Sequence, residues 1–558
     1  MVDRFFKLFY KEWGGLHQAA FLLGSFSLLA QILSLLRDRL LAGTFGAGLE
    51  LDIYYTAFRI PDLMYVSLAS FVSVTVLIPF IIREQRDGGR EAAVIFLSGL
   101  FTVFCVLMIV VSVILYILMP LLSPLLAPGF SASALAELTT LSRILLLSPF
   151  LLGISNLLGS VTQTYKKFFA YTLSPVFYNV GIIIGIIAFY PQWGLVGLVF
   201  GVVLGAALHL AIQIPSVYQL GLVPRLRLSI DWRSIKEVFS ISLPRTLTLA
   251  TYQISLALLV ALGSLMAVGS ITIFNLAFNL QSVPLIVVGV SYSVAAFPTL
   301  AVLFSKGQQA EFVGKIETAI RHILFWSLPA LVLFVVLRAH IVRVVLGAGN
   351  FSWSDTRLVA AALALFIVSV AAQGLVQLFV RAYYASNETK LPLLVNAGSS
   401  IFIMAAAVVL VRLFNQVDLF RYFIESLLRV EDLSGSSILM LPLAFSLGLI
   451  VNMSAYWILF QRRFGRFKPY LYQSCFRSGA AAIVAGFIAY RFLAVLAPWL
   501  NLETYWGIFA HGLLAGLAGV VGGVALLWFL KSVELLEVIR AGSSKLWPQP
   551  IRVDQEEL

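Results

Sequence analysis

The sequence predicts an all-α integral membrane protein of about fourteen transmembrane helices, arranged as two parallel six-helix lobes with two further helices at the C-terminal end. Three observations predict it. Hydrophobic residues make up 60% of the chain and charged residues only 11%, with a mean hydropathy of +0.97, where a soluble domain carries about a quarter charged residues. Apolar runs of about 20 residues, each enough for one bilayer crossing, recur from end to end. Three segments of the first half also reappear, in order, in the second.

Taken in order, residues 1–17 read as a short amphipathic, partly basic stub at the cytoplasmic surface, with no cleavable signal ahead of the first span. The spans follow at 18–37, 53–82, 93–119, 142–164, 171–189 and 194–215. A second set lies at 238–263, 270–303, 319–337, 357–384, 391–412 and 438–460, and a last pair at 474–497 and 504–530. At about 1.5 Å per residue the 53–82 run exceeds one crossing, so it is expected to tilt or kink near Pro61. Residues 216–237 form a cytoplasmic linker between the lobes (18–215 and 238–460), and residues 461–530 hold the additional helix pair. Within the second lobe, the external insert 415–437 places Leu419, Phe420, Phe423, Leu427 and Leu428 at helical spacing among charges, the pattern of an amphipathic helix on the outer leaflet. The tail 531–558 is cytoplasmic, and its end is polar and Pro-containing.

Orientation follows from the basic residues. Lys7, Lys11, Lys166, Lys167, Lys236, Lys306, Lys315, Lys390, Lys468, Lys531 and Lys545 fall on one side of this map, as do the clusters Arg83/Arg86/Arg90, Arg225/Arg227/Arg233 and Arg462/Arg463/Arg466. The excess of Lys and Arg marks the cytoplasmic side and puts both termini there. The net charge of +12 is thus a signal of topology and of anionic membrane lipids. Nucleic acid is not expected as a partner, because no basic soluble module is present.

The internal repeat has an offset of about 220 residues. VTVLIPFII (74–82) answers VAAFPTLAVLF (294–304), each before a polar, charged loop. The long segment starting APGFS at 127 answers the one starting GAGNFS at 347, and TYKKFFAYTLSP (164–175) answers YYASNETKLP (383–392). The offset spans an even number of helices, about six, so both copies enter the membrane in the same sense. Parallel repeats are a transporter architecture, with the substrate site at the repeat interface. Pro61, Pro79, Pro175, Pro244, Pro284, Pro298 and Pro392 interrupt the helices, as transporter helices tolerate.

Motifs for other chemistries are missing. Cys105 and Cys475 do not suggest a disulfide, and His17, His209, His322, His340 and His511 lack ligand spacing, so no metal is expected. No Walker A sequence, GxSxG elbow or zincin motif occurs, and no cofactor is expected. The chemistry-bearing block is instead LLRDRLLAGTFGAGLELDIYYTAFRIPD (35–62). Arg37, Asp38 and Arg39 directly follow the apolar run Phe21–Leu36, and Arg59 sits in the next helical stretch. A charge at bilayer depth costs at least about 3 kcal/mol, so it usually faces a wet cavity on a substrate path. Arg39 also suits a headgroup-level helix end; Arg37, Asp38 and Arg59 are the cavity candidates.

With that block, IPF before a charged loop, APGFS, LVPRLRLS, YQISLALL, FPTLAVLFSKG and YYASNETKLP, the chain resembles the MurJ (MviN-type) lipid II flippase family of the multidrug/oligosaccharidyl-lipid/polysaccharide exporter superfamily. The resemblance runs over nearly the whole chain and is most specific at the N-terminal block. It implies a monomeric transport unit with two lobes around a cationic cavity in the bacterial cytoplasmic membrane. It also implies a substrate, a polyprenyl-pyrophosphate-linked peptidoglycan precursor, moved from the inner to the outer leaflet by alternating access for cell-wall synthesis. No covalent bond is broken, so no enzyme is implied. Guanidinium forks suit a pyrophosphate better than ammonium points do.

By position, Arg37 and Asp38 match the family's Arg-Asp pair, Asp52 the acidic residue opening the second helix, and Arg59 a basic residue of the following segment. The chain departs from the pattern at Gln31 and Tyr65, where the family has basic residues, and at Ala277-Phe278-Asn279, where it has Ala-Asp-Arg. The seventh span (Leu243–Leu262) lacks a carboxylate after Pro244, which weakens a sodium site. Arg143, Arg245 or Arg381 could replace the lost charge, Arg245 best by its place beside Pro244. The expected substrate-binding set is therefore Arg37, Asp38, Asp52, Arg59, Asn279 and Arg245. The alternatives are an exporter of another polyprenyl-pyrophosphate-linked glycan, a drug/cation antiporter, and, from a different class, a membrane transferase or cell-wall scaffold. With no nucleotide motif, a cationic cavity reset by the membrane potential is the expected energy coupling.

Overall fold

The computed structural model describes residues 16–546 except 73 and 228, without the side chains of 16–21, 23, 69–70, 74–76, 244–245 and 541–546. The expected stub up to residue 15 and the tail from 547 lie outside the described residues. Every regular element among the described residues is helical. In the first half these are α1 Leu16–Phe45, α2 Leu49–Ala57, α3 Arg59–Ala69, α4 Val74–Leu126, α5 Ala132–Leu145, α6 Leu147–Thr164, α7 Phe168–Ile184, α8 Tyr190–Ala211 and α9 Ile214–Leu220. Then follow α10 Trp232–Ser264, α11 Ser270–Pro284, α12 Ser291–Ser305, α13 Gln309–Leu346, α14 Trp353–Ile367, α15 Val370–Ala385 and α16 Lys390–Gln416. The last are α17 Asp418–Leu428, α18 Met440–Phe464, α19 Pro469–Leu496, α20 Tyr505–Phe529 and α21 Val533–Leu546.

Among the described residues ten helices are long and apolar enough to cross a membrane, or eleven if α14 and α15, which meet at 42°, form one span. The difference from about fourteen lies in where the chain is cut. Gly89 (φ 72°) inside α4 and Gly194 (φ 58°) inside α8 are non-helical breaks, and expected spans lie on both sides of each. The expected 53–82 span is not one rod but α2, α3 and a short 3-10 turn at Ser70–Val72. Its break falls at Phe58, just before Pro61.

The chain divides into two compact units. The first holds Met1–Leu280, Val345–Ala362 and Thr389–Gly448; the second holds Gln281–Val344, Leu363–Glu388 and Leu449–Leu558. These units follow packing, whereas the expected lobes follow chain order.

In the first unit α7 packs along α8 and α1 along α7. The sequence reason is two small-residue ladders, Gly181-x-x-x-Gly185 and Gly201-x-x-x-Gly205. A Cβ on Gly201 would stand 2.3 Å from the Cα of Gly185, and one on Gly181 would stand 2.3 Å from the Cα of Gly205. Lipid supplies no hydrophobic drive between helices, so such backbone approach is what binds them. Beside this pair a core of Leu41, Leu51, Ile53, Leu138, Leu141, Leu198 and Val202 ties α1 and α2 to α5 and α8. A second core joins α3, α4 and α6 through Met64, Leu77, Phe104, Leu157 and Val161.

Backbone contact also explains the AGTFGAG turn after α1. Gly46 (φ 66°) ends the helix with its N–H on the Ala42 carbonyl at 2.8 Å. Asn350 donates its backbone N–H to the Gly43 carbonyl at 2.8 Å and its side-chain amide to the Thr44 carbonyl at 2.7 Å, satisfying two carbonyls that the helix end leaves open. The insert holds α17, which exposes Leu419, Phe423 and Leu427 and buries Ile424 and Leu428. Its Glu425 is buried and accepts from Ser436 Oγ at 2.6 Å and from Arg421 Nε at 3.2 Å.

In the second unit α19 and α20 pack through Ala481, Ala485 and Ala489 against Gly519 and Gly523. The helix α21 is docked by Glu534, which pairs with Arg321 at 2.8 Å and accepts from Ser474 and Ser532. Burial pushes its carboxyl up, but these hydrogen bonds and the guanidinium hold it below the usual carboxylate range.

If the α7–α8 seam depends on backbone approach, Gly201→Val must force the helices apart, at a cost of about 1–3 kcal/mol for overpacking. Thermal unfolding in detergent should show a lowered midpoint, with Gly24→Val, where nothing lies within 4 Å, as the matched control. Equal midpoints for both variants would show that the glycines are incidental.

Candidate functional site

The candidate residues of the N-terminal block converge on one helix, α11. Its start is held from another element. Asp52 on α2 is buried and accepts from the backbone N–H of Gly269 at 2.7 Å, from the N–H of Thr272 at 2.7 Å and from the Thr272 hydroxyl at 2.7 Å. A carboxylate at a helix N-terminus satisfies orphan donors and meets the positive end of the dipole. Gly269 (φ 89°) makes room: a Cβ there would stand 2.3 Å from the Ala47 carbonyl oxygen.

One turn further, Asn275 meets Arg59. The Nη2 of Arg59 donates to Asn275 Oδ1, while the amide nitrogen of Asn275 returns to the Ile271 carbonyl at 2.7 Å. Arg59 is only 8% exposed, and its Nε has no partner among the described residues. Asp62, one turn along α3, lies within electrostatic range of Arg59.

Asn279, four residues after Asn275 and so on the same face, donates to Asp38 Oδ2 at 3.1 Å. The other oxygen of Asp38 takes both Nε and Nη2 of Arg37, at 2.9 and 2.8 Å. Arg37 also donates to Asn179 Oδ1 on α7 at 3.2 Å and to Ser34 Oγ at 3.1 Å. Of the two arginines beside Asp38, it is therefore Arg37 that pairs. Arg39 instead reaches the Val345 carbonyl at 3.4 Å, as a helix-end arginine does.

The expected set is thus brought together in part. In the first unit Arg37, Asp38 and Asn279 form one hydrogen-bonded set and Arg59 with Asn275 a second one, both reaching α11, whose start Asp52 holds. Asp52 was expected in the substrate-binding set; here its oxygens are occupied by donors at the start of α11. The side chain of Arg245, on α10, lies outside the described residues. Arg143 lies apart, over the Tyr116 ring at 4.4 Å. Arg381 belongs to the second unit, where it donates to the Val290 carbonyl at 3.4 Å.

The departures from the family pattern have local explanations. Tyr65 accepts at its hydroxyl from Asn156 at 2.8 Å, and Phe278 stacks on Phe274 with centroids 6.3 Å apart. Sequence reasoning passed over Asn179, Asn275 and Asp62. The available signal was polarity itself: an Asn or Asp inside an otherwise apolar helix is costly and needs a partner.

Comparison with known proteins covers most of the chain, although the family match begins just after Arg37, Asp38 and Arg39. Residues 41–510 match the family described as Lipid II flippase MurJ. The chain is 23% identical over 412 residues to the lipid II flippase MurJ of Burkholderia cenocepacia, covering 72% of this chain and 80% of that protein. It is 26% identical over 489 residues to a probable lipid II flippase MurJ of Buchnera aphidicola, covering 85% and 89%. Among solved structures, a lipid II flippase MurJ in an inward closed conformation superposes with a TM-score of 0.72 at 19% identity, over 91% of this chain and 99% of that one. A multidrug resistance MATE family transporter of the MOP superfamily, inward-facing, reaches 0.62 at 15% identity over 80% and 96%.

Removing the amide that meets Arg59 should cost stability, because a buried guanidinium then loses a partner. Asn275→Ala is expected to lower stability by about 1–3 kcal/mol, read from thermal unfolding of the detergent-solubilised protein. Asn275→Asp should recover it by forming an ion pair. A stable Asn275→Ala protein would mean that the contact carries no weight.

Proposed function

The chain belongs to the lipid II flippase MurJ family, and on that premise we propose that its Arg37–Asp38–Arg59 arrangement is the place where the pyrophosphate of the lipid-linked precursor is held. The protein is a multi-pass membrane transporter of the bacterial lipid II flippase type. The observation that supports the site is the way the two guanidiniums are held. Arg59 meets a neutral amide and keeps an unpaired Nε–H, so its charge is positioned without being cancelled at that contact.

The arriving pyrophosphate would exchange for Asp38 on the Arg37 fork, since both are oxyanions that accept the same pair of N–H groups. Asn279 would keep hold of the released Asp38 through its second oxygen. Arg59 Nε would take a further phosphate oxygen. The prenyl tail stays in the bilayer, because about 0.8 kcal/mol per methylene opposes its transfer to water. Only the polar head needs a wet route, and the work is binding and reorientation, with no bond broken.

The two parallel lobes at 18–215 and 238–460, the cytoplasmic placement of both termini and the monomeric unit belong to the same proposal. The repeat and the one-sided lysines support the first two. Asp52 acts in this reading as a positioning residue for α11, and Asn279 as the partner of Asp38 rather than a direct phosphate ligand. Arg245 remains a candidate for extra charge.

Energy coupling follows from a charge count. Arg37 and Arg59 are accompanied by Asp38, Asp52 and Asp62, so the empty site carries no net positive charge and the bound pyrophosphate supplies the charge that moves. A negative interior then favours outward movement of the loaded carrier, by about 2.3 kcal/mol per charge and 100 mV. This differs from the cationic reset expected from the arginines alone, because Asp62 enters the sum.

Two outcomes test the proposal. Arg37→Ala, expressed at the normal level, should fail to support growth of a flippase-depleted bacterium, and Arg37→Lys should support it partly, lacking the fork. Normal growth of the alanine variant would remove Arg37 from the path. Separately, collapsing the membrane potential should slow the appearance of lipid II at the outer face of intact cells, whereas replacing sodium at constant potential should not. Sodium dependence without a response to potential would overturn the electrical coupling.

A further inference from the structure

A second charged site lies well apart from this arrangement in sequence, against the linker between the halves. After α9 the chain leaves helical geometry through Gly221 (φ 59°), and residues 222–227 are irregular. Two hydroxyls of α4, one turn apart, hold it. The backbone N–H of Arg225 donates to Ser98 Oγ at 3.1 Å, and that of Arg227 donates to Thr102 Oγ1 at 2.9 Å. Thr102 is committed as an acceptor there, because its own proton goes to the Ser98 carbonyl at 2.8 Å. The backbone is therefore pinned by groups that leave both guanidinium heads exposed.

A cavity of about 870 Å³ opens at this place, lined by Val94, Ser98, Tyr218, Arg225, Leu226 and Arg227, among others. No carboxylate is among its lining residues. A third guanidinium lies against Gly221, one of the lining residues: a Cβ there would stand 2.3 Å from Arg90 Nη2. Arg225 and Arg90 have no ion-pair partner among the described residues, and the Arg227 side chain donates only to Ser229. Next to these cations, Leu226 and Tyr218 are 72% and 76% exposed. Uncompensated cations beside exposed apolar side chains suit a ligand with a phosphate at one end and hydrocarbon at the other. A free phosphate would use the arginines and leave Leu226 and Tyr218 against water.

We propose that this cavity binds the phosphodiester headgroup of an anionic phospholipid, with Arg225 and Arg227 on the phosphate, Arg90 at its side, and the acyl chains along Leu226 and Tyr218. Basic pockets between membrane helices bind such headgroups through the same combination. The bound lipid would tether the linker to α4, since its phosphate contacts the residues whose backbone Ser98 and Thr102 already hold. The site is separate from the residues proposed for the precursor, and its occupancy does not depend on transport.

The test uses the purified full-length protein in detergent, with fluorescent phosphatidylglycerol as probe, phosphatidylcholine as the zwitterionic comparison, and glycerol phosphate as soluble competitor. Wild type should prefer phosphatidylglycerol. Arg225→Gln with Arg227→Gln should weaken its binding about tenfold or more, while Arg86→Gln, an exposed arginine paired with Asp87, should not change it. Equal weakening by Arg86→Gln would reduce the effect to general surface charge and overturn the site. Displacement by glycerol phosphate at matched concentration would also overturn it, as a free-phosphate site. Arginine-directed chemical labelling of the unaltered protein needs no variant: phosphatidylglycerol should protect Arg225 and Arg227 and leave Arg86 reactive. Absence of that protection would refute the proposal even if the double variant failed to fold.

Discussion

One helix answers Asp38, Asp52 and Arg59, three buried charges of the first unit, and the arrangement depends on how that helix is held. The Asp52 carboxylate takes two backbone donors and a hydroxyl at the start of α11. With the helix start fixed, Asn275 and Asn279 fall four residues apart and face Arg59 and Asp38. Each of these groups would be expensive alone in a low-dielectric interior. Joined through α11 they satisfy one another, and the donors left over belong to the arginines. A displaced helix start would turn both asparagines away and strand a guanidinium and a carboxylate together.

The choice of amides at Asn275 and Asn279 has an electrostatic consequence. A carboxylate at either position would neutralise its partner or repel it, whereas an amide orients a charge and leaves it in place. The Arg37–Asp38 pair is the opposite device, a local ion pair that an incoming oxyanion can replace. Neutral orientation at Arg59 and exchangeable pairing at Arg37 are both useful where a charged ligand must arrive and leave.

Much of this was legible in the sequence. The all-helical membrane class and the resemblance followed from apolar run length and from the N-terminal block, because lipid forces each crossing helix to satisfy its own backbone. The cost of charge at bilayer depth singled out Arg37, Asp38 and Arg59 as groups that need partners away from lipid. Asn179 and Asn275 were not found, since one asparagine in an apolar helix has no pattern to announce its partner. The capping contacts of Asp52 were not foreseen for a similar reason: a helix-capping carboxylate and a ligand-binding one look the same in one dimension.

The sequence alone determined what local physics controls: which segments are apolar and helical, and which charges are too costly to face lipid. Tertiary structure alone decided the pairings. Residues 52 and 272, 59 and 275, and 38 and 279 are each more than 200 positions apart, and no local preference selects one distant partner over another. The same holds for Gly181 and Gly185 meeting Gly201 and Gly205: the spacing permits close approach, but which face approaches which is set by packing all neighbouring helices at once. Burial energies are local sums over residue types. Partners are chosen by geometry, which exists only when the whole chain is folded.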